Sequence, residues 1–140
     1  MRILREANEA NLVLQSSNTK EAVVICCCCG CCCGVLTPLK RLEAPAAEVA
    51  SAFAAAYDRE ACIGCLRCVD RCQMDAIRQE GEGVVLNRDR CIGCGLCVAT
   101  CSSGALRLVR REVADDATTP DDIDEMWETM QRMQASGGEV

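Results

Sequence analysis

Residues 61–77 read ACIGCLRCVDRCQMDAI, and residues 90–106 read RCIGCGLCVATCSSGAL. Shifted by 29 residues, the two stretches agree at eight of 17 positions, every cysteine among them. Each copy has the form C-x2-C-x2-C-x3-C: Cys62, Cys65, Cys68 and Cys72, then Cys91, Cys94, Cys97 and Cys101. Such a repeat implies two similar supersecondary units that complete one small core together.

The spacing carries the chemistry. A C-x2-C-x2-C loop wraps one face of an iron–sulfur cubane and supplies three thiolates. The fourth cysteine is expected to start a helix that points away, so that it completes the cluster of the other repeat. On this reading Cys62, Cys65, Cys68 and Cys101 hold one 4Fe–4S cluster, and Cys91, Cys94, Cys97 and Cys72 hold a second. The alternatives are a disulfide framework or two zinc sites. Zinc sites use pairs of C-x2-C, and the third and fourth cysteines of each run would be surplus to them. Gly64, Gly93 and Gly95 permit backbone turns that aim N–H groups at cluster sulfurs. Ile63, Ile92, Leu66, Leu96, Val69, Val98, Ile77 and Leu106 are expected to shield the clusters from water.

Composition agrees with cysteine chemistry. The 140 residues hold 15 cysteines, no histidine and three aromatics, Phe53, Tyr57 and Trp127. Without histidine there is no Ser-His-Asp or Cys-His catalysis, no His-ligated zinc and no Rieske centre. Half of the residues count as hydrophobic, but 15 of these are cysteine, so the ordinary core is small. Disulfides or metal must support it. The charge of −6 is uneven: residues 1–111 carry 14 Lys/Arg against 12 Asp/Glu, and residues 112–140 carry one Arg against nine acids. An acidic tail on a near-neutral body argues against nucleic acid as partner. The 14-residue stretch Val23–Leu36 is hydrophobic only through its cysteines and is too short to span a membrane. With no signal peptide in view, a reducing cytoplasm is expected, where cysteines bind metal more often than they form disulfides.

Outside the runs the expectations are coarser. Phe53–Asp58 reads as a strand, Val69–Cys72 and Val98–Cys101 as the starts of short helices, and Leu106–Arg110 as a strand matching Ile77–Gln79. The latter forms a hairpin with Val84–Leu86 across Glu80-Gly81-Glu82-Gly83. The result is an α+β domain over residues 53–111. Upstream, Arg2–Ala10 reads as a helix, Leu12–Leu14 and Val23–Ile25 as a hairpin, and Pro45–Ser51 as helical. Downstream, Val113–Thr118 reads as a linker. A helix then follows with Thr119 as N-cap and Pro120 at its first position. Ile123, Met126, Trp127, Met130 and Met133 share one face of that helix, and Ser136-Gly137-Gly138 ends it. Arg107, Arg110 and Arg111 are a docking patch for an acidic redox partner, a solvated strand edge, or partners of the acidic tail that follows.

Residues 26–33 read CCCCGCCC, seven cysteines in eight positions. Alternation along an extended chain would put Cys26, Cys28, Cys31 and Cys33 on one side as a candidate third metal site. The alternatives are a packed, reduced cysteine turn and lipidation.

Residues 58–111, with their two cysteine runs, resemble a bacterial-type ferredoxin with two 4Fe–4S clusters. The wider frame, from EANLV through VVICCCCGCCCGVL to CIGCGLCVATC, resembles a longer bacterial family of 4Fe–4S dicluster-domain proteins. There a cysteine block recurs, with asparagine more usual at position 27, and members carry further sequence upstream, which implies a fragment or a late start. The resemblance implies a ferredoxin-like α+β fold with a pseudo-twofold repeat over residues 53–111. It is preceded by an N-terminal extension, residues 1–52, and followed by an acidic linker and helix, residues 112–140. In small ferredoxins a proline usually follows the fourth cysteine of each run; here Gln73 and Ser102 stand there. The implied function is one-electron transfer between a reductase or dehydrogenase and an acceptor enzyme, by a carrier that is not itself an enzyme. Two other readings are an electron-transfer subunit or detached module of a larger oxidoreductase, and a redox- or iron-responsive regulator.

Overall fold

The computed structural model describes residues 2–49, 51–111 and 119–136, with side chains to 132 in the last stretch. Contacts divide the chain into two compact units, Met1–Leu14 with Cys27–Ala114 and Gln15–Cys26 with Asp115–Val140.

In the first unit the repeated stretches build strand, cysteine loop, helix and strand twice over. β3 (Phe53–Tyr57) leads into α3 (Arg67–Arg71) and β4 (Ile77–Glu80). Then β5 (Gly83–Leu86) leads into α4 (Leu96–Thr100) and β6 (Leu106–Arg110). The starts of α4 and β6 each lie 29 residues after those of α3 and β4, at 96 against 67 and 106 against 77. β3 pairs antiparallel with β6, from Phe53 opposite Arg110 to Tyr57 opposite Leu106. β4 and β5 form the expected hairpin, Ile77 opposite Leu86. The first strand thus closes on the last, and α3 packs on α4. The core between them is Ala54, Ala55, Ala76, Ile77, Val84 and Leu106 with Cys91 and Cys97. Small residues and thiols occupy places that large side chains fill in an ordinary domain of this size.

The helices differ from expectation in one instructive way. They begin two residues earlier than Val69 and Val98, and the fourth cysteines end them rather than start new ones. Leu66 and Gly95, both left-handed (φ 58° and 76°), turn the chain into α3 and α4. Cys72 and Cys101 are the C-caps, their N–H groups donating to Val69 O and Val98 O. Cys72 has already left helical dihedrals (φ −83°, ψ 103°). Its side chain therefore departs from the face that Cys68 shares, which a cysteine four residues on in a continuing helix would not do.

The extension packs a second cluster onto this unit: Val13, Leu36, Met74 and Leu96 are buried together, with Cys28, Cys33, Ile92 and Cys94 against them. α1 (Arg2–Glu9) buries Ala7. Its last carbonyls, on Asn8 and Glu9, accept hydrogen bonds from the Arg71 guanidinium at 2.6 and 3.3 Å, a cation where a helix C-terminus favours one. β1 (Val13–Ser16) pairs with β2 (Ile25–Cys28), the expected hairpin shifted along the chain so that β2 enters the cysteine block. α2 (Leu36–Arg41) is a helix that the sequence pattern did not announce; Pro38 falls within its first turn, where a missing N–H does no harm. The helix expected over Pro45–Ser51 is a single 3-10 turn, Pro45–Ala47. The Ala46 carbonyl accepts Arg111 Nη1 at 2.9 Å instead of continuing a helix.

In the second unit, α5 (Ile123–Ser136) starts later than expected. Asp122, not Thr119, caps it: its Oδ1 accepts from the N–H groups of Asp124 (3.0 Å) and Glu125 (2.9 Å). Glu125 returns a bond to the Asp121 N–H at 2.7 Å, a reciprocal arrangement like a capping box. Lys20 pairs with Asp121. The linker expected over Val113–Thr118, the Met133 side chain and the glycines at 137 and 138 lie outside the described residues.

Candidate metal centres

The eight repeated cysteines gather around two hollows of similar size, about 380 and 350 Å³ counted out to their open mouths. One, the inner hollow, is lined by Cys72, Cys91, Cys94 and Cys97. The other, the outer hollow, is lined by Cys62, Cys65, Cys68 and Cys101. Each thus takes three cysteines from one loop and the fourth from the other repeat. The β3–β6 pairing and the α3–α4 contact bring this about, because they set each helix end beside the opposite loop.

Glycine makes the loops fit. Gly64 and Gly93 have φ of +67° and +73°. A Cβ on Gly93 would lie 2.1 Å from Phe53 O, and one on Gly64 would lie 2.4 Å from Glu82 O. Both the dihedral and the close approach exclude a side chain.

Donors face the sulfurs. Ala76 N–H donates to Cys72 Sγ (3.2 Å), Ala55 N–H to Cys91 Sγ (3.3 Å) and Gly64 N–H to Cys62 Sγ (3.5 Å). The Ser103 hydroxyl lies 3.6 Å from Cys101 Sγ. Tyr57 lines the outer hollow, and its phenol is pushed up mainly by a hydrogen bond with the Cys62 thiol.

Burial pushes the Cys97 thiol up to about 12, with the neighbouring thiols of Cys94, Cys72 and Cys91 adding to it, and raises Cys94 and Cys68 in the same direction. Cys101 goes the other way: burial alone would raise it, but the Ser103 hydroxyl and the N–H groups of Leu106 and Ala105 bring it below its ordinary value. Thiols held protonated by burial become ligands only against a strongly cationic centre, so loading the inner hollow releases protons.

Spacing separates a cluster from a single ion. A tetrahedral ion with metal–sulfur bonds of about 2.3 Å holds its sulfurs roughly 3.8 Å apart. Among the described residues, no three of these eight sulfurs meet within 4.8 Å of one another. The donor set, all cysteine sulfur, fits an iron–sulfur centre.

The block at 26–33 is arranged differently from expectation. Of Cys26, Cys28, Cys31 and Cys33, only Cys31 enters a close group; the sulfurs that come within 4.8 Å of one another are those of Cys29, Cys31 and Cys32. Alternation holds only to the end of β2. The chain then turns, Cys33 N–H donating to Cys29 O at 3.3 Å, and Cys28 and Cys33 pack against the cluster of Val13, Leu36, Met74 and Leu96. Cys29 Sγ lies 3.2 Å from Cys32 Sγ. Hydrogen bonds from the Cys31 and Cys32 side chains lower the Cys29 thiol to about 6, and the same bond to Cys29 raises Cys32 to about 11.

Several residues that position the site carried no signal in the pattern. Gln73, in the place of the usual proline, is an amide clamp: its Oε1 accepts from Gly30 N–H at 2.9 Å, and its Nε2 donates to Asn11 O at 2.8 Å. Arg90 donates to the carbonyls of Met74 (2.9 Å), Leu42 (2.7 Å) and Lys40 (2.8 Å). Arg111 belongs to no solvated edge; it donates to Cys91 O, Ala46 O and Phe53 O. Ile63, expected to shield, is 67% exposed.

No helix among the described residues is long and apolar enough to cross a membrane. Comparison with curated proteins gives no match. Residues 55–115 match the family model of the 4Fe-4S dicluster domain, so this part of the chain is an iron–sulfur domain of the electron-transfer kind.

Proposed function

We propose that the chain is a one-electron carrier with two 4Fe–4S clusters, one on Cys62, Cys65, Cys68 and Cys101 and one on Cys91, Cys94, Cys97 and Cys72. The observation that carries this reading is the crosswise lining of the two hollows, four cysteines to each. A bound cluster supplies one-electron storage without bond making at a substrate. The chain's own residues hold the thiolates, aim N–H and hydroxyl donors at the sulfurs, and keep water from the inner site with Met74, Ile77, Leu86 and Leu96. The partners are a reductase or dehydrogenase on one side and an acceptor enzyme on the other, in a reducing compartment such as the cytoplasm.

Anaerobic purification with iron and sulfide analysis tests the reading. Eight irons and eight sulfides per chain are expected for two cubanes, on the order set by their composition. Cys72→Ala should then remove the electron paramagnetic resonance signal of the site formed by Cys91, Cys94 and Cys97. Loss of the signal from the Cys62 loop instead would sink the crosswise assignment.

A second reading, a subunit or detached module of a larger oxidoreductase, is favoured by α5, whose Trp127 and Met130 are 53% and 41% exposed on one face. Elution of the cluster-loaded chain as a monomer at all concentrations would count against it; self-association abolished by Trp127→Ala would support it.

A further inference from the structure

The cysteine block sorts itself into three groups. Cys26 and Cys27 are exposed on β2, Cys28 and Cys33 pack against the cluster around Leu36, and Cys29, Cys31 and Cys32 bring their sulfurs together on a turn. We propose that Cys29, Cys31 and Cys32 form a three-thiolate site for one soft d10 metal ion, Cu+ in preference to Zn2+.

The geometry is close to what an ion requires. Three sulfurs in a plane around an ion, at metal–sulfur bonds of about 2.3 Å, stand roughly 4 Å apart. Here all three lie within 4.8 Å, and the Cys29–Cys32 pair is already at 3.2 Å. Closure needs shifts of less than an ångström, on exposed side chains. The turn beneath them is fixed. Cys33 N–H closes onto Cys29 O, Gly30 N–H donates to Gln73 Oε1, and Val35 N–H donates to Cys33 Sγ at 3.4 Å. A Cβ on Gly30 would meet Gln73 Oε1 at 2.6 Å, so glycine lets the turn seat itself there.

Donor chemistry selects the ion. The group is all sulfur, which favours Cu+ and Zn2+ over hard cations. It offers three ligands rather than the four of a closed structural zinc site. Cys31 and Cys32 are exposed, so an ion there can be exchanged with a partner. These three sulfurs also stand closer together than any three of the eight that line the two hollows, which favours one ion over a cubane.

The test uses the full, cluster-loaded chain without oxygen, titrated with Cu+ against a chromophoric Cu+ chelator while the visible absorbance of the clusters is followed. One Cu+ per chain should bind with that absorbance unchanged. Cys29→Ser and Cys31→Ser should each weaken binding at least about 100-fold, since loss of a direct ligand should exceed the 10–100-fold effect of an outer-shell partner. The double variant Cys26→Ser/Cys27→Ser should bind within about threefold of the unchanged chain. Any of four results overturns the proposal: equal loss in the Cys26/Cys27 variant, Cu+ uptake only as cluster absorbance falls, Zn2+ bound in preference to Cu+, or a Cys29–Cys32 disulfide in the anaerobically purified chain. A loss of about four irons in Cys29→Ser would equally overturn it, in favour of a third cluster.

Discussion

The inner and outer hollows come from the same repeated sequence, yet they offer different surroundings. Cys91 and Cys97 of the inner set are buried, whereas none of the outer four is, and Cys65 stands exposed. Ile63 of the outer loop is 67% exposed; its repeat equivalent, Ile92, packs under the N-terminal extension. Where the outer hollow has Tyr57 and Ser103, the inner has Leu86 and Met74 at the corresponding places 29 residues away. Two hydroxyls beside sulfur thus face two apolar side chains. The difference teaches that duplication supplied the ligands, and that the extension and a few substitutions made the two sites unequal. Reduction adds negative charge, which burial disfavours and hydrogen-bond donors favour. The outer site should therefore have the higher potential and the readier exchange with partners.

The largest expected effect is on metal loss. Under a strong iron chelator, the cluster-loaded chain should release iron in two phases, the outer half at least about tenfold faster than the inner. Cys101→Ala should abolish the fast phase, and Cys72→Ala the slow one. A single phase in the unchanged chain would break the comparison outright.

Stability sharpens it from the side of the extension. Leu36 is 0% exposed in the cluster that seats the extension beside Cys72 and Cys94. Leu36→Ala should destabilise the chain by about 2–5 kcal/mol and quicken the slow phase while leaving the fast one alone. Denaturant unfolding together with chelation checks both. Gln73→Ala removes two hydrogen bonds, to Gly30 and Asn11. It should cost about 1–3 kcal/mol with the same selective effect on the inner phase. A fast phase altered as much as the slow one would mean that the extension supports both sites equally.

How much of this could be read beforehand follows from what repeats. Cysteine spacing and loop glycines have fixed offsets, so the strands β3 to β6 and the β4–β5 hairpin were legible, whereas the closing of β3 on β6 was not. The start of α3 was hidden because the residue that turns the chain into it is a left-handed Leu66, a type that rarely adopts φ of 58° and gives no warning of it. Gln73, Arg90 and Arg111 act through long-range bonds to backbone groups, which no local pattern encodes. The block at 26–33 misled because alternation was assumed beyond Cys28, where the chain in fact turns at Gly30.

The smallest predicted effect isolates one hydroxyl. Tyr57 stands five residues before Cys62 and hydrogen-bonds with its thiol, while Val84 N–H donates to the phenol oxygen at 3.5 Å. With Cys62 ionised as a metal ligand, the phenol can only donate to sulfur, and that bond strengthens as charge is added on reduction. Tyr57→Phe keeps the ring that packs against the core and deletes the donor alone. It should lower the potential of the outer site by something on the order of tens of millivolts, leave the inner site where it was, and so narrow the gap between them. A redox titration followed by electron paramagnetic resonance reads both values in one sample. If the lower of the two potentials moves and the higher stays, the assignment of the higher potential to the hydroxyl-lined hollow is wrong, and neither burial nor these hydroxyls orders the pair.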